Sequence, residues 1–297
     1  AGVAWAVRKV RKSLPDSKIP LLGLAAAFVF AAQMLNFPVA GGTSGHLIGG
    51  VLTAVLLGPN AALLVMTSVL AVQALVFADG GILALGANIF NMGILGSVVG
   101  YAIYRIVRGR RAGVQGQLAA AAFAAWCSVV LASTGCTAQL AFSGTIAWNT
   151  AFPAMTGIHM LIGIGEAVIT ALVLAAVVAT RPELLDDKQP VASPTGSFLV
   201  YGLIVAMALA VLVSPFASSW PDGLEKVAEK LGFIGAAVEV PMLPAPVPDY
   251  EMPGISSASV ATALAGAVGT VIMFVLTGLL GRLLVSRMKK ECAGSAG

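Results

Sequence analysis

Apolar positions along this chain run on rather than alternate. Stretches rich in Ala, Leu, Val and Gly recur at about 19–36, 46–57, 61–78, 84–107, 116–133, 157–180, 197–214 and 257–282. A helix needs about 20 such residues to cross a hydrocarbon core of about 30 Å. The unbroken runs argue for helices and against the in–out alternation of a membrane β-barrel. The pattern therefore predicts an all-α fold, a polytopic bundle of membrane helices. The 46–57 stretch is too short to span, since twelve residues rise only about 18 Å. Short helices are tolerated where they line a cavity, and their ends often face bound ligands. The chain opens with Ala1–Val7, followed by Arg8, Lys9, Arg11 and Lys12. Seven apolar residues rise only about 10 Å, and the basic group follows them, the reverse of a signal peptide. This segment reads as the last turns of a span that begins before residue 1.

Polar positions give the orientation. With 46–57 counted as a crossing, every basic cluster falls on one face: Arg8 to Lys18, then Arg105 to Arg111, then Arg181 and Lys188, then Arg282 to Lys290. That face is expected to be cytoplasmic, and the C-terminus with it. The loops at 37–45, 79–83 and 134–156 carry one charged side chain, Asp79, and are expected outside. A polar stretch at about 181–196 divides the chain into a membrane domain, 1–190, and a second part, 191–297. The second part holds two helices around an external segment. Residues 222–232 predict a short amphipathic helix there, and the Pro-rich 241–253 an extended return.

Composition agrees. The chain is 58% hydrophobic and 10% charged, with a mean hydropathy of +0.94, against about 25% charged in soluble domains. A net charge of +4 here reflects cytoplasmic loops, so the partner that composition implies is membrane lipid, not nucleic acid. The three cysteines read as packing residues rather than a disulfide framework.

The chemistry is narrow. No hydrolase triad, phosphate-cradling loop or Cys-x-x-Cys is present, so ATP hydrolysis by this chain and an organic cofactor are not expected. One of only two histidines, His46, closes Gly41-Gly42-Thr43-Ser44-Gly45-His46. It reads either as a metal or substrate ligand or as a helix-start histidine bonded to backbone. The glycines permit close approach and positive φ, and Thr43 or Ser44 could cap the following helix. Asn88 and Asn91 lie three apart on one helix face and either bond a neighbouring helix or orient the loop. Asp79, before two glycines, is a turn residue or an acceptor orienting a ligand imidazole. His159, Gly163, Glu166 and Thr170 form one helical stripe. Glu166 falls near the bilayer midplane, where an acid is expensive. It is expected either as a structural or interface hydrogen-bond partner or as a proton-relay acid.

Three segments together resemble a known family: Phe37–His46, Asp79–Gly93 and Gly157–Glu166. They are similar to the nickel/cobalt substrate-capture subunits of energy-coupling-factor (ECF) transporters. Pro221-Asp222-Gly223-Leu224-Glu225 resembles the small accessory component of the same systems, here fused at the C-terminus. The resemblance implies seven helices in the capture part, the first incomplete here, and two in the accessory part. It implies Ni(II) or Co(II) as transported substrate, with His46 as one ligand and the others in an N-terminal Met-His segment that this sequence lacks. Gly42, Thr43, Ser44, Asp79, Asn88 and Asn91 would position the loop, and His159 and Glu166 would be interface or structural polar groups. It further implies a transmembrane scaffold subunit and two cytoplasmic ATPases as partners, in a prokaryotic plasma membrane. Nickel is expected over cobalt.

Overall fold

A computed structural model describes residues 1–109, 113–185, 196–237 and 243–294. The linker 186–195, Arg110, Arg111, Pro241 and Met242 lie outside the described residues, as do the side chains beyond Val285.

The chain is a helical bundle, as its apolar runs require. Helix α1 (Gly2–Ser13) continues through the basic cluster, burying Ala6 and Val10 while Arg8, Lys9 and Lys12 stay exposed. It meets the next helix at 120°. Helix α2 (Ile19–Gln33) starts with Pro20 in its first turn, where a missing N–H costs nothing, and it is buried along most of its length. A short hairpin follows, β1 (Phe37–Val39) pairing antiparallel with β2 (Thr43–Gly45). Helix α3 (Gly50–Leu57) and helix α4 (Pro59–Val76) are joined at Gly58, whose φ of 87° only glycine adopts readily.

One long span, Gly81–Arg108, is built from α5 (Gly81–Asn88), a π-helical stretch Ile89–Val99 and α6 (Gly100–Arg108). Helices α7 (Val114–Phe142) and α8 (Trp148–Thr180) pair as a long hairpin. Both outrun expectation. The polar residues after Ser133 stay helical because the Thr134 and Thr137 hydroxyls donate to the carbonyls of Val130 and Ser133. The external loop expected over 134–156 shrinks to the turn between Phe142 and Trp148.

The second part supplies α9 (Gly196–Ala208), continued to Phe216 as one span, then α10 (Gly223–Leu231) and α11 (Ala258–Gly294). It packs on α2 through small residues. Ala27 and Ala31 meet Ala206 and Ala210. A methyl on Gly23 would come within 2.6 Å of the Phe274 carbonyl oxygen, and one on Gly266 within 2.7 Å of that of Ala210. Glycine and alanine let membrane helices approach this closely. Phe30 and Phe77, both fully buried, centre the core shared by α2, α4 and α11. Six helices are long and apolar enough to cross a membrane, so this is an integral membrane protein.

Candidate functional site

The site grows from the hairpin. Gly41 (φ 90°) and Gly42 (φ 71°) make its turn. Residues 46–49 then run without regular structure to α3, whose entry is Gly49 in a left-handed conformation (φ 74°). The helix expected from residue 46 thus begins at Gly50, and neither Thr43 nor Ser44 caps it. The cap comes from α8. The fully buried Glu166 carboxylate accepts the Ile48 N–H at 2.6 Å and the Gly49 N–H at 2.9 Å. A negative group at the N-terminal dipole is favourable, and these donors would otherwise be orphans. From α2, the buried Gln33 amide donates to the Ile48 carbonyl at 2.9 Å.

His46 lies 3.2 Å, through Nδ1, from the Leu47 carbonyl oxygen. His159 makes a similar contact from Nδ1 to the Met155 carbonyl oxygen at 2.7 Å. A carbonyl only accepts, so both Nδ1 atoms are assigned the proton, and a neutral ring keeps its lone pair on Nε2. Both rings line one cavity of 160 Å³, together with Asn88, Asn91, Cys136 and Asp222. Asn91 is fixed by a reciprocal amide pair with Gln139 of α7, at 3.0 and 3.1 Å. The Asn88 amide nitrogen lies against Gly80, within 2.6 Å of where a methyl there would stand. Among the described residues no three His, Cys, Asp or Glu side chains converge to hold a metal. Cys127 and Cys136 are free thiols.

The remaining wall belongs to the accessory part. The Ser44 N–H donates to the Pro221 carbonyl at 2.8 Å. The Ser44 hydroxyl donates to that of Trp220 at 2.7 Å, and the Thr43 hydroxyl to Pro221 at 3.0 Å. Asp222 caps α10, accepting the N–H groups of Leu224 and Glu225, while Glu225 reaches back to the Asp222 N–H. This is a capping box. Gly223 packs on His159: a methyl there would stand 2.7 Å from Cε1 and 2.9 Å from Nε2. Each residue from Pro221 to Glu225 therefore has a physical task in docking α10 on the His46 loop.

Asp79 is placed elsewhere. It is exposed and accepts the Tyr250 hydroxyl of the accessory segment, so it does not orient an imidazole. Glu166, expected as a structural or interface group, is an internal helix cap. Sequence reasoning missed Gln33 and Gln139. Each is an amide inside an apolar run, and that isolation is the signal that could have found them.

A cavity walled by buried imidazole, amide and carboxylate groups at the end of a short membrane helix defines a membrane protein with a small polar ligand chamber. The comparisons are specific. Residues 1–184 match the family described as the cobalt uptake substrate-specific transmembrane region, and residues 196–286 match the PDGLE domain. The chain belongs to this family, with the second domain fused behind the first. A protein of Archaeoglobus fulgidus described as a fused nickel transport protein, NikMN, is 39% identical over 88% of this chain and 85% of its own. The fused nickel transport protein NikMN of Rhodobacter capsulatus is 30% identical over 92% and 89%. The crystal structure of a truncated transition metal transporter is 36% identical, with a TM-score of 0.53, covering 60% of this chain and 88% of that one.

Proposed function

We propose that this protein is the substrate-binding membrane component of an ECF-type nickel uptake transporter, with Co(II) as the alternative cargo. His46 supplies a nitrogen donor at the external end of the bundle. The carrying observation is the loop 46–49, held out of the helix by buried side chains so that His46 lines a polar chamber. The other donors would come from the N-terminal Met-His segment that the family resemblance implies. Nitrogen donors in a plane suit Ni(II) and disfavour tetrahedral Zn(II). Gly42 gives the hairpin its turn, Thr43 and Ser44 tie the loop to the accessory segment, and Asn88 and Asn91 line the chamber. His159 forms its far wall and seats Gly223. A transmembrane scaffold and two cytoplasmic ATPases would drive release inward, with the C-terminus on the cytoplasmic side. Proton coupling through Glu166 gains no support, because both carboxylate oxygens already accept backbone N–H groups.

The test is metal content and Ni²⁺/Co²⁺ competition on the purified protein with its native N-terminus, beside His46→Ala. About one bound metal, lost in His46→Ala, is expected, and the stronger competitor names the cargo. A protein that holds no metal overturns the reading.

A further inference from the structure

We infer that Gln33 and Glu166 are positioning residues for the metal-donor loop: clamping Ile48 from two helices, they set where His46 stands. This inference rests on the capture reading above. Residues 46–49 have no helix or strand partners, and Leu47, Ile48 and Gly49 are buried. Backbone groups left unpaired at such depth are costly. Glu166 of α8 takes the N–H groups of Ile48 and Gly49, and Gln33 of α2 takes the Ile48 carbonyl. Ile48 is thus held at both ends of its own backbone by side chains from different helices, each less than a tenth exposed.

The clamp also decides between two structures. If α3 extended back by a turn, residues 46–49 would take helical torsions, and each would rotate by about 100° relative to the next. The His46 ring would then leave its present aim. Gly49, left-handed at φ 74°, interrupts that extension, and a methyl there would stand 3.0 Å from Val29. Glu166 satisfies the two donors that remain exposed by the interruption. The helices that carry the clamp are themselves tied to the accessory part, α2 through α9 and α11 and α8 through α10. A shift of α2 against α8 would therefore reach His46 through Ile48 alone.

Three readouts on the full chain test this. Amide hydrogen exchange reports Ile48 and Gly49 without any metal. Ni²⁺ titration reports affinity. The visible absorption of bound Ni²⁺ reports donor geometry, which a merely structural role would leave unchanged. Glu166→Gln keeps the shape but turns one acceptor into a donor. Its expected result is about tenfold faster exchange at Ile48 and Gly49, about tenfold weaker Ni²⁺ binding and a shifted band. Gln33→Met keeps the length and removes the donor. It is expected to weaken Ni²⁺ binding and shift the band in the same direction, and it carries the test should Glu166→Gln fail to fold. Folded variants with the parent's affinity and band overturn the clamp, even if exchange quickens. A parent chain that binds no Ni²⁺ overturns the capture reading and this inference with it.

Discussion

Tyr250 occupies a backbone region that side chains rarely adopt, at φ 57°, directly after Asp249 at φ 53°. Such conformations cost energy and persist only where the surroundings over-determine them. Here they do. The Tyr250 ring stacks on Phe77 at 4.8 Å and leans on Phe30 at 6.0 Å. The N–H groups of Val247 and Asp249 donate to the Val76 and Phe77 carbonyls, both at 2.9 Å, and so finish the end of α4. The Tyr250 hydroxyl donates to Asp79. Burial first, then the Asp79 charge and its hydrogen bond, hold this phenol well above its ordinary titration range. A raised folded value means the contribution is complete below the unfolded value of about 10 and is lost as pH rises through the folded one. Tyr250→Phe keeps the stacking and loses the hydroxyl. It is expected to cost about 1 kcal/mol near pH 8, with the gap to the parent narrowing above about pH 10. Thermal unfolding at both pH values checks it, and a constant gap would refute the burial argument. No sequence pattern announced this contact. Asp79 sat before two glycines and read as a turn, while its partner lay 171 residues away.

At the scale of elements, what was legible followed from local chemistry. The long spans announce themselves by apolar length, and α10 by its capping box and amphipathic spacing. The misjudged elements are those set by distant partners. The start of α3 was misread because its cap, Glu166, lies 118 residues from Ile48. The end of α7 was misread because Thr134, Thr137 and Gln139 looked like loop. Two of them are satisfied within the helix, and Gln139 reaches across to Asn91. The π-helical stretch Ile89–Val99 has no sequence signature either. It brings Gly96 and Ser97 against Gly50, where a methyl would stand 2.8 Å from the Ser97 hydroxyl and 2.9 Å from the Gly96 carbonyl carbon. Asn91 enters the chamber from this stretch, so its amide pair with Gln139 is expected to hold α7 and the stretch in register. A double-mutant cycle of Asn91→Ala and Gln139→Ala, read by unfolding free energy, should give a coupling of about 0.6 kcal/mol, up to about 1.7. Additive losses would mean that each amide acts alone.

At the scale of the whole molecule, the two matched regions meet in two places of different kinds. In the membrane, α2 takes α9 and α11 through alanine and glycine contacts, which are close and apolar. Outside it, Pro221 and Gly223 touch β2 and His159 through a few hydrogen bonds and one glycine's missing side chain. The first contact holds the parts together and the second reaches the chamber, so they are separable. Cutting the chain within 186–195 and co-expressing the pieces should leave them co-purifying, since the α2 contacts survive the cut. Gly223→Ala in the cut protein should leave that association intact while lifting α10 off His159, because a methyl at 2.7 Å from the ring forces one of them to move. Such overpacking costs about 1–3 kcal/mol. Metal uptake, assayed in cells that also make the scaffold and ATPase subunits, should then fall about tenfold or more although both pieces remain in the membrane together. Dissociation of the pieces on cutting would show that the linker, not the helix faces, joins them. Undiminished uptake in Gly223→Ala would free the accessory motif from any part in loading the chamber.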